Sequence, residues 1–217
     1  MRGPVLQVQD IYKSFGRRKV LQGISFSVAP GTLVGIVGEN GAGKTTLLRI
    51  VAGELPPSRG NVFRQGEVGY CPQTVVLNES LTVDQHLDFF RAAYNITDLR
   101  RADDLMEKLN FGHYRKERVA NLSGGTKQKL NLTLALMHQP GLLLLDEPYQ
   151  GFDWEAYLCF WEVVAELRAQ NRSVLVISHL FFEQKRFDRL YRLHEGRILE
   201  KGRIDIQRKD ICGERET

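Results

Sequence analysis

The stretch Gly38-Glu39-Asn40-Gly41-Ala42-Gly43-Lys44-Thr45 has the glycine, lysine and hydroxyl spacing of a phosphate-binding loop. Glycines at 38, 41 and 43 let successive backbone N–H groups converge on an anion, and Asn40 stands among them. A helix opening at Lys44 would add the positive end of its dipole. Lys44 would then reach the β- and γ-phosphates, while the Thr45 hydroxyl, with Thr46 beside it, would face Mg2+. A second chemical feature lies about a hundred residues on, where four leucines run into Asp146-Glu147-Pro148. In an open α/β sheet, ligands bind outside the carboxyl ends of the strands. Both acids should therefore face the loop, Asp146 toward the metal and Glu147 toward an attacking water. Between these two features stands Leu122-Ser123-Gly124-Gly125, two glycines and a hydroxyl at the head of a helical pattern. It reads as a second anion site of exposed N–H groups, or as a plain helix cap.

Those groups need a scaffold, and the hydrophobic pattern supplies one. Leu33-Val34-Gly35-Ile36-Val37 is a continuous apolar run, as expected of a strand buried on both faces, and it feeds the glycine loop. Lys44 to Val51 reads as a helix that stops near Gly53. Val5 to Val8 and Ile24 to Val28 read as an antiparallel N-terminal layer. From Thr82 to about Gln139 strand signals vanish. Thr82 and Gln85 form a capping box, followed by Val83, Leu87, Phe90 and Tyr94 at helical spacing. A second helix from about Leu99 carries Ala102, Leu105, Met106 and Leu109, and a third just after Gly125 carries Leu130, Leu134 and Met137. Alternation then returns as strand Leu142 to Leu145, helix Trp154 to Ala169 and strand Val174 to Ile177. A hairpin turning at Glu195-Gly196 closes the pattern. The fold class expected is α/β: a P-loop NTPase core with a mostly parallel sheet, an N-terminal antiparallel β layer and an inserted α-helical subdomain. One domain is expected over 1–217, with the nucleotide-binding core at 1–73 and 140–202. The helical subdomain spans about 74–139, and 203–217 is a polar tail.

In this order the three segments resemble the ATP-binding-cassette (ABC) ATPase family, and the resemblance runs along nearly the whole chain. It implies further roles. Phe15, in Lys13-Ser14-Phe15-Gly16, matches the family's adenine-stacking aromatic. Gln73, in Tyr70-Cys71-Pro72-Gln73, matches the glutamine that senses Mg2+ and water where the helical subdomain begins. Ser123, Gly124 and Gly125 match the signature sequence, which in the family serves the γ-phosphate bound by the other cassette, so a head-to-tail dimer is implied. His179, after Val174-Leu175-Val176-Ile177-Ser178, matches the switch histidine at the γ-phosphate. Asp153 matches the aspartate of the loop that crosses the dimer interface. The resemblance thus implies ATP and Mg2+ as cofactors. Glu147, His179 and Gln73 are the expected catalytic set, and Thr45, Gln73 and Asp146 hold the metal. Two departures stand out. Thr126 occupies the position where glutamine is commonest, and Gly151-Phe152 replaces the usual Ala-Leu before Asp153. The interval from Gly53 to Gln73 is also short, so part of the β layer there is expected to be trimmed.

Composition narrows the partners. The 217 residues carry a net charge of +4, 42% hydrophobic and 26% charged residues, as in a soluble globular protein. No run approaches the roughly 20 apolar residues that cross a bilayer. The first ten residues lack a signal-peptide core, so export of the chain itself is not expected. The mild basic clusters, Arg17-Arg18-Lys19 among them, read as solvated surface, and nucleic acid is not expected as a partner. Three widely spaced cysteines fit reduced thiols, not a disulfide framework. The expected protein is an ABC transporter ATPase subunit, cytoplasmic and peripheral on the cytoplasmic face of the membrane. Its partners would be an integral membrane subunit on a separate chain and a second ATPase subunit, identical or different. The Glu79-Ser80-Leu81-Thr82-Val83 stretch resembles exporter subunits, making export the expected direction. The alternatives are a soluble ABC ATPase acting on ribosomes or nucleic acid, and a small-molecule kinase.

Overall fold

A computed structural model describes residues 3–74, 76–178 and 184–200. Two sheets organise the chain. β1 (Leu6–Phe15) and β2 (Arg18–Val28) form a long antiparallel ribbon, with Leu6 opposite Val28 and Phe15 opposite Arg18. β3 (Leu33–Val37) then leads through the glycine loop into α1 (Lys44–Ala52). β4 (Arg59–Arg64) returns to the ribbon beside β1, giving a three-stranded sheet in the order β2-β1-β4. β5 (Val68–Cys71) starts the second sheet and is followed by α2 (Val83–Ala93), α3 (Arg100–Lys108) and α4 (Gly124–Leu136). β6 (Leu142–Asp146), α5 (Trp154–Ala169), β7 (Ser173–Ser178), β8 (Arg189–His194) and β9 (Arg197–Glu200) complete it. The order is β5-β6-β7-β3-β8-β9, parallel except for the closing β8–β9 hairpin.

Two cores lie on opposite faces of the parallel sheet, and alternate residues of one strand serve each. Leu142, Leu144, Leu175 and Ile177 pack toward α1 and the antiparallel sheet. Leu143, Leu145, Val174 and Val176 pack toward the helices α2 to α5. This is why β6 and β7 read as unbroken apolar runs: a strand covered on both faces has no polar side to show. α2 begins as expected, with the Thr82 hydroxyl accepting the Gln85 N–H at 3.2 Å and the Gln85 side chain accepting the Thr82 N–H at 2.8 Å.

The short interval between Gly53 and Gln73 supplies one strand to the antiparallel layer, β4, and one to the parallel sheet, β5. β4 escaped notice because it borders one layer and is largely exposed, so its sequence lacks a buried alternating face. Tyr94, expected at helical spacing after Phe90, is the C-cap of α2; its ring meets Phe90 at 5.6 Å and stacks on His138 at 4.1 Å while 41% exposed.

Candidate functional site

The parallel order brings the carboxyl ends of β3, β6 and β7 to one edge, and a cavity of about 560 Å³ opens there. Its floor is the glycine loop, with Asn40, Gly41, Gly43, Lys44, Thr45 and Thr46 on the lining. Gly43 is the N-cap of α1 at φ 104°, a left-handed conformation a β-carbon would strain, and it aims the first N–H groups of the helix into the cavity. Lys44 is only 8% exposed, and its ammonium donates to the Gly38 carbonyl at 2.8 Å and the Glu39 carbonyl at 3.1 Å. Gly38 therefore contributes its carbonyl to the loop's closure and is not itself on the lining. Burial lowers the pKa of Lys44, opposed by the nearby charges of Glu147 and Asp146.

Asp146 and Glu147 form the opposite wall, exposed by 1% and 5%. Burial raises the Asp146 pKa; the Thr45 hydroxyl pulls it down, Glu147 adds a further rise, and Lys44 lowers it. Neither Asp146 oxygen makes a well-formed hydrogen bond among the described residues. A buried carboxylate left in that state is costly, and a cation is the usual remedy. With the Thr45 hydroxyl beside it, this donor set fits a hard divalent ion such as Mg2+. Gln73 also lines the cavity. The loop before it is tied to α4: the Asn131 amide donates to the Pro72 carbonyl at 3.1 Å and to the Cys71 sulfur at 3.3 Å, joined there by Gln128 at 3.7 Å. Burial raises the pKa of the Cys71 thiol, keeping it protonated and inert.

Phe15 stands at the cavity mouth, 51% exposed, with the Lys13 ammonium 5.1 Å from its ring centroid. One face of the ring thus carries a cation while the edge of the cavity keeps the ring available for stacking. Arg18 and Val20, across the Phe15 turn, line the same cavity. Arg18, expected as solvated surface, is exposed and stands at the edge of the cavity. The register of the β1–β2 ribbon, which the turn at Gly16 and Arg17 sets, puts it directly opposite Phe15.

The remaining sites lie elsewhere. Ser123, Gly124, Gly125 and Asp153 are not on the cavity lining. Ser123 caps α4 by accepting the Thr126 N–H at 3.1 Å, and its hydroxyl pairs with that of Thr126 at 2.9 Å. The threonine is buried and holds the serine through a bond that its own hydroxyl completes. Asp153 caps α5 through the Ala156 N–H at 2.7 Å, with Lys129 3.8 Å from its other oxygen. His179 lies outside the described residues. Gly125 packs directly under the Gly151 carbonyl: a β-carbon added there would fall 2.3 Å from that oxygen. Gly125→Ala should therefore cost about 1–3 kcal/mol of folding stability, as over-packing does, checked by denaturant unfolding. Gly124→Ala, where a β-carbon meets open space, should cost less.

A parallel sheet whose strand ends carry a glycine loop, a buried lysine and two opposed carboxylates defines a P-loop nucleotide-binding protein. Comparison with known proteins makes the class specific. The family model described as ABC transporter matches residues 21–150, and the chain belongs to that family as an ATP-binding protein. It is 32% identical over 213 residues to an uncharacterised ABC transporter ATP-binding protein of Methanocaldococcus jannaschii, spanning 96% of this chain and 80% of that one. It is 31% identical over 225 residues to the linearmycin resistance ATP-binding protein LnrL of Bacillus subtilis, covering 96% of this chain and 71% of the relative. Among solved structures, an ATP-binding subunit of an ABC transporter superposes with a TM-score of 0.85 at 29% identity, covering 93% of this chain and 90% of the other. No helix among the described residues is long and apolar enough to cross a membrane.

Proposed function

We propose that the chain is the Mg2+-dependent, ATP-hydrolysing subunit of an ABC transporter, and that it drives a membrane-spanning subunit on a separate chain. The observation that carries this reading is the meeting of Lys44, Thr45, Gln73, Asp146 and Glu147 in one cavity with Phe15 at its mouth. The adenine stacks on Phe15, and the phosphates lie along the glycine loop under Lys44. Asp146, Thr45 and Gln73 hold Mg2+, which supplies charge neutralisation when bound. Glu147 orients a water and takes its proton, with His179 assigned to the γ-phosphate by its place in the sequence. Phosphoryl transfer needs little else than this positioning and charge.

Ser123, Gly124 and Gly125 stand off the cavity that holds this chain's own nucleotide site. That placement supports a role in a neighbour's site, in a head-to-tail dimer with Asp153 at its interface. Movement would pass through Gln73 into the helical subdomain, residues about 74–139, and on to the membrane partner at its cytoplasmic face. Similarity to Nod factor export ATP-binding proteins of rhizobia supports export as the direction, while similarity to a zinc import ATP-binding protein of Buchnera aphidicola, 34% identical, weighs against it.

The test is Mg2+-dependent release of phosphate from ATP by the purified chain, with capture of the membrane subunit from detergent-solubilised membranes. Phosphate appearing on a small-molecule acceptor, or no hydrolysis with a membrane partner present, would overturn the reading. Lys44→Ala should weaken binding of a fluorescent ATP analogue by about tenfold or more, since it removes a charged hydrogen-bonding partner of the phosphates.

A further inference from the structure

Glu147 adopts φ 49°, the left-handed region that non-glycine residues enter at a cost. Such a conformation persists only where its surroundings over-determine it. Hydrogen bonds to the carboxyl end of β7 fasten this turn. The Glu147 N–H donates to the Ile177 carbonyl at 3.0 Å. Two residues on, the Tyr149 hydroxyl donates to the Ser178 hydroxyl oxygen at 2.6 Å, and Ser178 is 3% exposed. The Tyr149 ring in turn meets the edges of Tyr157 at 5.4 Å and Phe160 at 5.6 Å, both on α5. Further along the same loop, the Gly151 carbonyl closes over Gly125 at the head of α4. The first bond belongs to the main chain and any residue could make it. The second depends on the identity of two side chains.

We propose that Tyr149 and Ser178 form a positioning pair that holds the strained Glu147 turn, and so the carboxylate, in the orientation that activates water. Their shared hydroxyl bond locks the loop after β6 to the last residue of β7 while the aromatic packing of Tyr149 anchors it on α5. Neither residue lines the cavity, so the pair acts through Glu147, and the inference rests on the role proposed for that residue. Its loss should slow the chemical step and leave nucleotide binding alone, because neither residue lines the cavity.

Tyr149→Phe removes the hydroxyl and keeps the ring in its packing. In steady-state ATP hydrolysis its kcat should fall by about five- to tenfold, the worth of one hydrogen bond, with KM for ATP changed by less than about twofold. Ser178→Ala should give the same loss, Ser178→Thr should recover most of it, and the double variant Tyr149→Phe/Ser178→Ala should be no slower than either single one. Single losses that multiply in the double variant would overturn the pairing. Glu147→Gln in the same assay separates the two claims. An inactive Glu147→Gln beside a Tyr149→Phe of wild-type kcat overturns the positioning pair alone. An active Glu147→Gln overturns the role of Glu147 itself.

Discussion

Glu147→Gln is expected to lower ATP turnover by at least about a hundredfold while leaving the affinity for ATP within about threefold of the native value. The two side chains have the same shape and a similar capacity to accept a hydrogen bond. What glutamine cannot do is accept the proton of an attacking water. Glu147 is 5% exposed and faces Lys44 across the cavity, so bulk water cannot easily substitute as the base. The carboxylate also sits where positive charge is concentrated, beside the buried ammonium and the glycine loop. Nucleotide binding depends on those groups and on Phe15, none of which the substitution touches. Single-turnover hydrolysis and equilibrium binding of a fluorescent ATP analogue, measured on the same preparation, give the two numbers. If the head-to-tail dimer forms as proposed, the variant should also accumulate as a dimer in ATP, visible by size-exclusion chromatography. Turnover near the native rate would remove Glu147 from its role.

Asp146→Asn should do something less intuitive: abolish Mg2+-supported turnover and stabilise the nucleotide-free protein. Burial raises the pKa of Asp146, which means that folding disfavours its charged form. A carboxyl whose folded pKa is raised favours the folded state at low pH, and that contribution is lost as pH rises through the folded pKa. At neutral pH the charged group is therefore a burden on the empty fold, with neither oxygen well bonded among the described residues. Asparagine removes the charge while keeping the shape. The gain should be about 1 kcal/mol, or some 2–4 °C in Tm for a chain of this size. In native protein, Mg2+-nucleotide should stabilise, since a cation meets the buried oxygens. In Asp146→Asn that metal-dependent increment should shrink sharply. Differential scanning calorimetry with and without Mg2+ reads both effects. A lower Tm for the variant without nucleotide would show that Asp146 supports the fold and is not held there for the metal.

Much of the candidate site is legible in the sequence. The glycine loop, the capping box at Thr82, the buried strands and the helix from Trp154 to Ala169 are local features. Each is written within a window of a few turns or strand pairs, where period, cap and glycine position decide the geometry. The same holds for Asp146 and Glu147 at the end of an apolar strand, because strand ends in parallel sheets share an edge. What escaped reading was set by the pairing of strands. β4 is a strand only because β1 is there to pair with it, and Arg18 meets the cavity only because a two-residue turn sets it opposite Phe15.

By itself the sequence determined the family, the identities of the phosphate loop and acidic pair, and the alternation of strand and helix that must carry them. These follow from short-range rules, since a residue's preference for strand, cap or loop is settled mostly by its neighbours in the chain. Only the tertiary structure decided which strands lie side by side, and with that which side chains share a cavity. The order β5-β6-β7-β3-β8 sets Asp146 two strands away from the glycine loop's own strand, yet at the same edge. It leaves both oxygens of that carboxylate buried without a well-formed bond, puts Gly125 under Gly151, and joins Tyr149 to Ser178 across 29 residues of sequence. Such relations depend on the closure of long loops and on packing between layers. Neither leaves a periodic mark on the residues that take part.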